Sequence, residues 1–204
     1  MPVTINGTTG ITLTELSPTS VITSSEGIGN FINETSIPTT AAAAAYTQGY
    51  TATLSASGTN IDFSSIPSGV SEITMMFNQV SQTDAGSNGD TLVQIGTGGS
   101  PLTTGYSSIS STYSVSRNTN SGFIILSPGA ATSLNGVLRL YRYPSTNSWI
   151  AIGEAKVNAA FTAVLDTWSD PITLSGALNI IRVTTVGGGA IVYDGGSISI
   201  RCRY

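Results

Sequence analysis

Residues 177–204 read ALNIIRVTTVGGGAIVYDGGSISIRCRY, and their alternation decides the fold class. Within SISIRCRY (197–204), Ile198, Ile200, Cys202 and Tyr204 fall on one parity, and Ser199, Arg201 and Arg203 on the other. A period of two belongs to a β-strand with one buried face. The apolar runs upstream are bounded by GGG (187–189) and DGG (194–196). Glycine-rich breaks between such runs are turn signals, so the stretch reads as a three-strand meander.

The same grammar recurs upstream. In SEITMMFNQV (71–80), Ile73, Met75 and Phe77 share a face. In GVLRLYRYP (136–144), Leu138 and Leu140 oppose Arg139, Tyr141 and Tyr143. SGFIILS (121–127) and NSWIAIGEA (147–155) are two further strands, while DAGSNGD, TGGSP and SPGAA carry loop chemistry. No amphipathic helix longer than two turns is expected. Short strands separated by frequent turns predict an antiparallel sandwich or barrel over residues 50–204.

Ahead of this domain the text thins out. PVTINGTTGITL (2–13) puts Asn6-Gly7 between the alternations Val3, Ile5 and Ile11, Leu13, a hairpin signal. The apolar residues that follow are too few for an independent core. Residues 1–34 are therefore expected to dock on another subunit or protein through Val3, Ile5, Ile11, Leu13, Val21, Ile22, Phe31 and Ile32. Residues 35–49, with Pro38 and five alanines, read as a linker.

Only 9% of the 204 residues are charged, far below the usual share of about 25%. Seven acids precede the first base, Arg117; from there on stand seven bases and four acids, giving −7 and +3, or −4 in all. Such asymmetry marks either a partner surface or two halves that neutralise each other in the fold or between subunits. Direct nucleic-acid binding is not expected, because no basic cluster exceeds Arg201-Cys202-Arg203. The charge-free stretch 35–61 is too rich in Thr, Ser, Pro and Gly for membrane insertion, and the first residues lack a secretory pattern.

Candidates for chemistry are sparse. Without histidine there is no Ser-His-Asp or Cys-His catalysis and no His-based metal site. Cys202 is the sole cysteine, read as a buried strand residue, and Lys156 is the sole lysine, read as a surface residue. DAGSNGDTLVQI (84–95) begins like a calcium loop, but Gly86 and Ile95 occupy positions that need oxygen ligands, so it reads as a polar hairpin loop. In LDTWSDP, Asp166 and Asp170 flank Trp168, a sugar-platform pattern that is also ordinary turn chemistry before Pro171. No enzyme, cofactor or metal site is expected.

GTNIDFSSIPSGVSEITMMFNQVS (58–81), followed by LVQIGTGGSPLTTGYSS, SGFIIL, NSWIAIGEA and LNIIRVTTVGGGAIVYDGGSISI, resembles a C-terminal β-domain of virion proteins of tailed bacteriophages. The likeness is to tail-fibre-like proteins of marine and cyanobacterial phages and covers roughly residues 50–200; PVTINGTTGIT is separately similar to N-termini of phage fibre and structural proteins. The resemblance implies an all-β, jelly-roll-like sandwich, a homotrimer and a position on the virion surface. It implies a short tail or baseplate fibre that contacts host carbohydrate, docked to other virion proteins through residues 1–34. The chain departs from that pattern in having no long shaft, which leaves a capsid decoration (cement) protein or short head fibre as the alternative. Candidate glycan contacts are Tyr106, Tyr113, Trp149 and Trp168, each with burial in the core or an interface as its other reading.

Overall fold

The structure, a computed structural model, describes residues 51–84, 87–112, 115–126, 130, 133–158 and 164–204. The expected hairpin, docking segment and linker lie outside the described residues, as do Val3, Ile5, Ile11, Leu13, Val21, Ile22, Phe31, Ile32 and Tyr113.

Fourteen strands run through the described residues: β1 (Thr51–Ser55), β2 (Ile61–Ser64), β3 (Glu72–Gln82), β4 (Thr91–Thr97), β5 (Ser100–Pro101), β6 (Ser108–Ser111), β7 (Ser116–Thr119), β8 (Phe123–Ile125), β9 (Ser133–Arg142), β10 (Ser148–Asn158), β11 (Val164–Ser169), β12 (Ile172–Thr173), β13 (Ile180–Thr185) and β14 (Tyr193–Arg203). All pairings are antiparallel. The large sheet has the order β1-β14-β3-β9-β10-β11-β6-β7, with β12 against β10. The small sheet is β2-β13-β4, with β8 and β5 sharing the far edge of β4.

Within this set, β1-β14-β3-β9 and β2-β13-β4-β8 form the two four-stranded sheets of a jelly roll. The chain crosses between sheets at nearly every step, which brings residues distant in sequence into one core. Two insertions, β5–β7 and β10–β12, supply the remaining strands, and β10, β11, β6 and β7 extend the large sheet beyond β9.

The alternating residues meet as the sequence requires. Ile73, Met75, Leu138, Leu140, Ile198, Ile200 and Cys202 of the large sheet face Phe63, Val93, Ile95, Phe123, Ile181 and Val183 of the small one in a single apolar core. Ser199, Arg201 and Arg203 point outward, while Tyr204 lies beyond the strand and is half exposed rather than buried. Burial pushes the Cys202 thiol up to about 12, so the sulfur packs as a small apolar group.

The expected meander is corrected in two respects. The GGG segment does not close a hairpin: β13 lies in the small sheet and β14 in the large one, and a 3-10 turn over Gly188–Ala190 carries the chain across. The DGG segment does not turn at all. It sits inside β14, where the register against β3 shifts between Tyr193 and Gly195 and again between Gly195 and Ser197. Gly196 adopts φ +86°, and a Cβ there would lie 2.3 Å from the Gln79 carbonyl oxygen. Glycine is needed for a bulge, and the strand continues.

Among the described residues, three ion pairs neutralise part of the charge asymmetry inside the domain, while Glu15, Glu26 and Glu34 lie outside those residues. Asp90 pairs with Arg117, Asp62 with Arg182 and Glu72 with Arg203. Each of these pairs joins an acid from before residue 117 to a base from residue 117 onward. Arg182 grips Asp62 through two nitrogens, at 2.7 and 2.6 Å.

Candidate functional site

At the edge built by β11, β6 and β7, the usual pattern of apolar residues inside and polar residues outside is inverted. Ser108, Ser110 and Thr167 are buried, whereas Ile109 and Trp168 are 43% and 57% exposed. The cause lies in β8. Its outer edge faces these strands and offers backbone groups that no strand among the described residues pairs. Ser108 Oγ accepts from the Ile124 N–H (3.1 Å), and Ser110 Oγ accepts from the Leu126 N–H (3.2 Å). Thr167 Oγ1 lies 3.0 Å from the Ile124 carbonyl and 3.2 Å from Ser110 Oγ. Buried donors and acceptors need partners, so the hydroxyls must point inward. Strand alternation then forces Ile109 and Trp168 outward.

Trp168 and Ile109 are direct cross-strand partners, and Ile109 in turn pairs with Asn118. Paired side chains stand about 5 Å apart, so indole, aliphatic and carboxamide form a row across the edge. They line a cleft of about 790 Å³ that also includes Ser107, Asn120 and Asp170. Asp170 is fixed at both ends: its N–H donates to the Ser107 carbonyl (2.8 Å), and its Oδ2 accepts from Ser107 Oγ (2.7 Å). The Tyr106 N–H donates to the Asn120 carbonyl (3.1 Å), tying the loop after β7 to the cleft floor.

Of the four aromatic candidates, Trp168 is presented as a contact requires. Trp149 is corrected to a core residue, 1% exposed, because it shares the inward parity of β10 with Ala151. Tyr106 is also corrected: it is buried beneath the cleft, edge-on to Phe123 at 5.0 Å. Its hydroxyl accepts from the Ile95 N–H (2.8 Å) and lies 3.2 Å from the Ile95 and Leu102 carbonyls. Burial pushes its phenol up to about 12. Tyr106 lines the cleft from beneath, with its hydroxyl turned into the core. Tyr113 lies outside the described residues.

The two acids of LDTWSDP separate. Asp170 lines the cleft, while Asp166 stands between Glu154 and Ser111 in the next cross-strand row. Among the described residues that line the cleft, Asp170 is the one carboxylate. The cleft can stack a ring on the indole and hydrogen-bond polar substituents. In the 84–95 loop, Asp84 and Asn88 edge a hollow of about 330 Å³, but the Asp90 carboxylate is engaged by Arg117 at 2.9 Å. Ile109, Asn118, Asn120 and Ser107 were not anticipated as site residues; the available signal was hydroxyls on one parity of SISS and DTWS.

Comparisons with protein-family models, with curated proteins and with solved structures find no match for this chain.

Proposed function

We propose that this chain is a structural protein of a tailed-phage virion, a short tail or baseplate fibre whose jelly-roll domain touches carbohydrate on the host surface. The observation that carries the reading is Trp168, 57% exposed above a cleft of hydroxyls and carboxamides. The exposed indole and its cross-strand neighbour Ile109 form an apolar platform beside polar groups, and sugar rings combine an apolar face with polar edges. The resemblance of residues 50–200 to fibre-type β-domains supplies the virion context. In this reading the domain is a homotrimer, so three shallow clefts act together and modest affinities multiply. Residues 1–34 dock the trimer onto its virion partner.

The test is adsorption competition. Purified full-length protein should block attachment of virions to host cells, and Trp168→Ala should block far less. Equal blocking by both proteins, or by neither, would reject the reading.

A second reading, a capsid decoration protein or short head fibre, draws on the outer face of the large sheet. There Met76 is 40% exposed beside its cross-strand partner Val137, an apolar pair suited to lie against a neighbouring subunit. Copy number in purified virions separates the two: few copies at the tail support the fibre, and many copies over the head support decoration.

A further inference from the structure

Resting on the carbohydrate reading above, we infer that the cleft selects uncharged pyranose units, neutral hexoses or N-acetylhexosamines, and rejects anionic sugars. Among the described residues that line it, the one carboxylate is Asp170, and no Lys or Arg is among them. Ser107 holds that carboxylate in place with a neutral hydroxyl, which leaves its charge uncompensated by a cation at this contact.

The bases nearest in the fold do not serve the cleft. Arg117 precedes Asn118 on β7, but its Nε is engaged with buried Asp90 at 2.9 Å. Arg139 lies in the same cross-strand row as Trp168, with Ile152 between them. Two strand spacings put its backbone about 10 Å from that of Trp168, and Arg139 is not among the residues that line the cleft. Among the described residues that line the cleft, a sugar carboxylate, sulfate or phosphate stacked on Trp168 would meet one carboxylate and no cation.

The remaining groups suit neutral rings. The indole and Ile109 side by side make an apolar platform, and the C–H face of a pyranose can lie on it. Asn118 and Asn120 are exposed, and each offers both a donor and an acceptor, the combination that ring hydroxyls and N-acetyl groups require.

The chain contains two tryptophans, and Trp149 is buried, so Trp168 is the one that collisional quenchers reach readily. The experiment is a fluorescence titration of the full chain with acrylamide present. One probe set is oligosaccharides of glucose, galactose and N-acetylglucosamine; the other is sialylated and uronate-containing oligosaccharides of matched length. At least one neutral probe should protect Trp168 from quenching, and the acidic probes should bind about tenfold more weakly or worse. Asp170→Asn should narrow that gap. Trp168→Ala should lower neutral-sugar affinity about tenfold, read by calorimetry, while Trp168→Phe retains part of it. Thermal midpoint and native mass should stay unchanged in these variants.

Acidic probes bound as tightly as neutral ones would overturn the selectivity while leaving carbohydrate binding standing. Neutral-sugar affinity unchanged in Trp168→Ala would overturn the site in the same limited way. A changed native mass in Trp168→Ala would reassign the indole to a subunit interface and overturn the proposal. Binding of no probe from either set would overturn the carbohydrate reading together with it.

Discussion

Replacing Ser110 with alanine tests why the candidate site exists at all. Ser110 is fully buried, and its Oγ accepts the Leu126 N–H at 3.2 Å. The Ile124 N–H goes to Ser108 Oγ and the Leu126 N–H to Ser110 Oγ; the single Thr167 proton can serve either the Ile124 carbonyl or Ser110 Oγ, so when it serves the carbonyl the Ser110 proton is the one that joins the two hydroxyls. Alanine removes the acceptor and leaves the Leu126 N–H buried without one, which costs about 1–3 kcal/mol. For a chain of this size the thermal midpoint should fall by about 2–12 °C. The assay is urea or thermal unfolding followed by circular dichroism. Ser111→Ala, one residue along on the opposite face, is the matched control and should stay within about 0.5 kcal/mol of the parent. Thr167→Val should couple to Ser110→Ala by about 0.5–3 kcal/mol in a double-mutant cycle, because the two hydroxyls are joined. Equal, negligible effects at Ser110 and Ser111 would refute the argument that inward hydroxyls dictate which way Trp168 points.

Further expectations concern the frame and its ionisable groups. Gly96→Ala should cost about 3 kcal/mol or more in unfolding experiments, since a Cβ there would lie 2.0 Å from the Ser100 carbonyl oxygen in the tight β4–β5 turn. Arg117→Met removes the cation beside buried Asp90 and should cost more than Arg182→Lys, which, at a half-exposed pair, should cost no more than about 1 kcal/mol. Stability should fall at high pH. Burial raises Cys202 from 9.0 to about 12 and Tyr106 from 10.0 to about 12, so the unfolded chain ionises first and holds fewer protons. Each group then removes about 1.4 kcal/mol per pH unit between its unfolded and folded values, a loss that urea titrations between pH 8 and about 11 would resolve and Cys202→Ala would lessen above pH 9.

The strands that frame the core were legible because their alternation is simple. Ile73, Met75 and Phe77, or Ile198, Ile200 and Cys202, state which face is buried without reference to anything distant. The sheet assignment of those strands was not legible. Asp194-Gly195-Gly196 carries the chemistry of a turn and of a bulge alike. Which one forms depends on β3, where Gln79 adopts φ +50° opposite the bulge, more than a hundred residues earlier in the chain. GGG similarly marks a reversal but not whether the chain returns to the same sheet.

The site was legible in one residue. Trp168 stands out between two acids, yet the rule that hydroxyls face water would have turned it inward, with Thr167 and Ser169 outside. That rule fails because the outer edge of β8 needs hydrogen-bond partners, and β8 is more than forty residues away in sequence. Trp149 shows the converse. Its parity with Ala151 marks it as core once β10 is recognised, whereas aromatic character alone suggested a contact. Ile109 and Asn118 join the cleft through cross-strand pairing, which local sequence does not encode.

The most direct test of the central claim is a glycan array probed in parallel with the full-length protein and its Trp168→Ala variant. The account predicts defined signals from the parent protein, confined to uncharged glycans, that fade in the variant. Signals of equal strength from both proteins, or an array that stays blank with the parent, would contradict it.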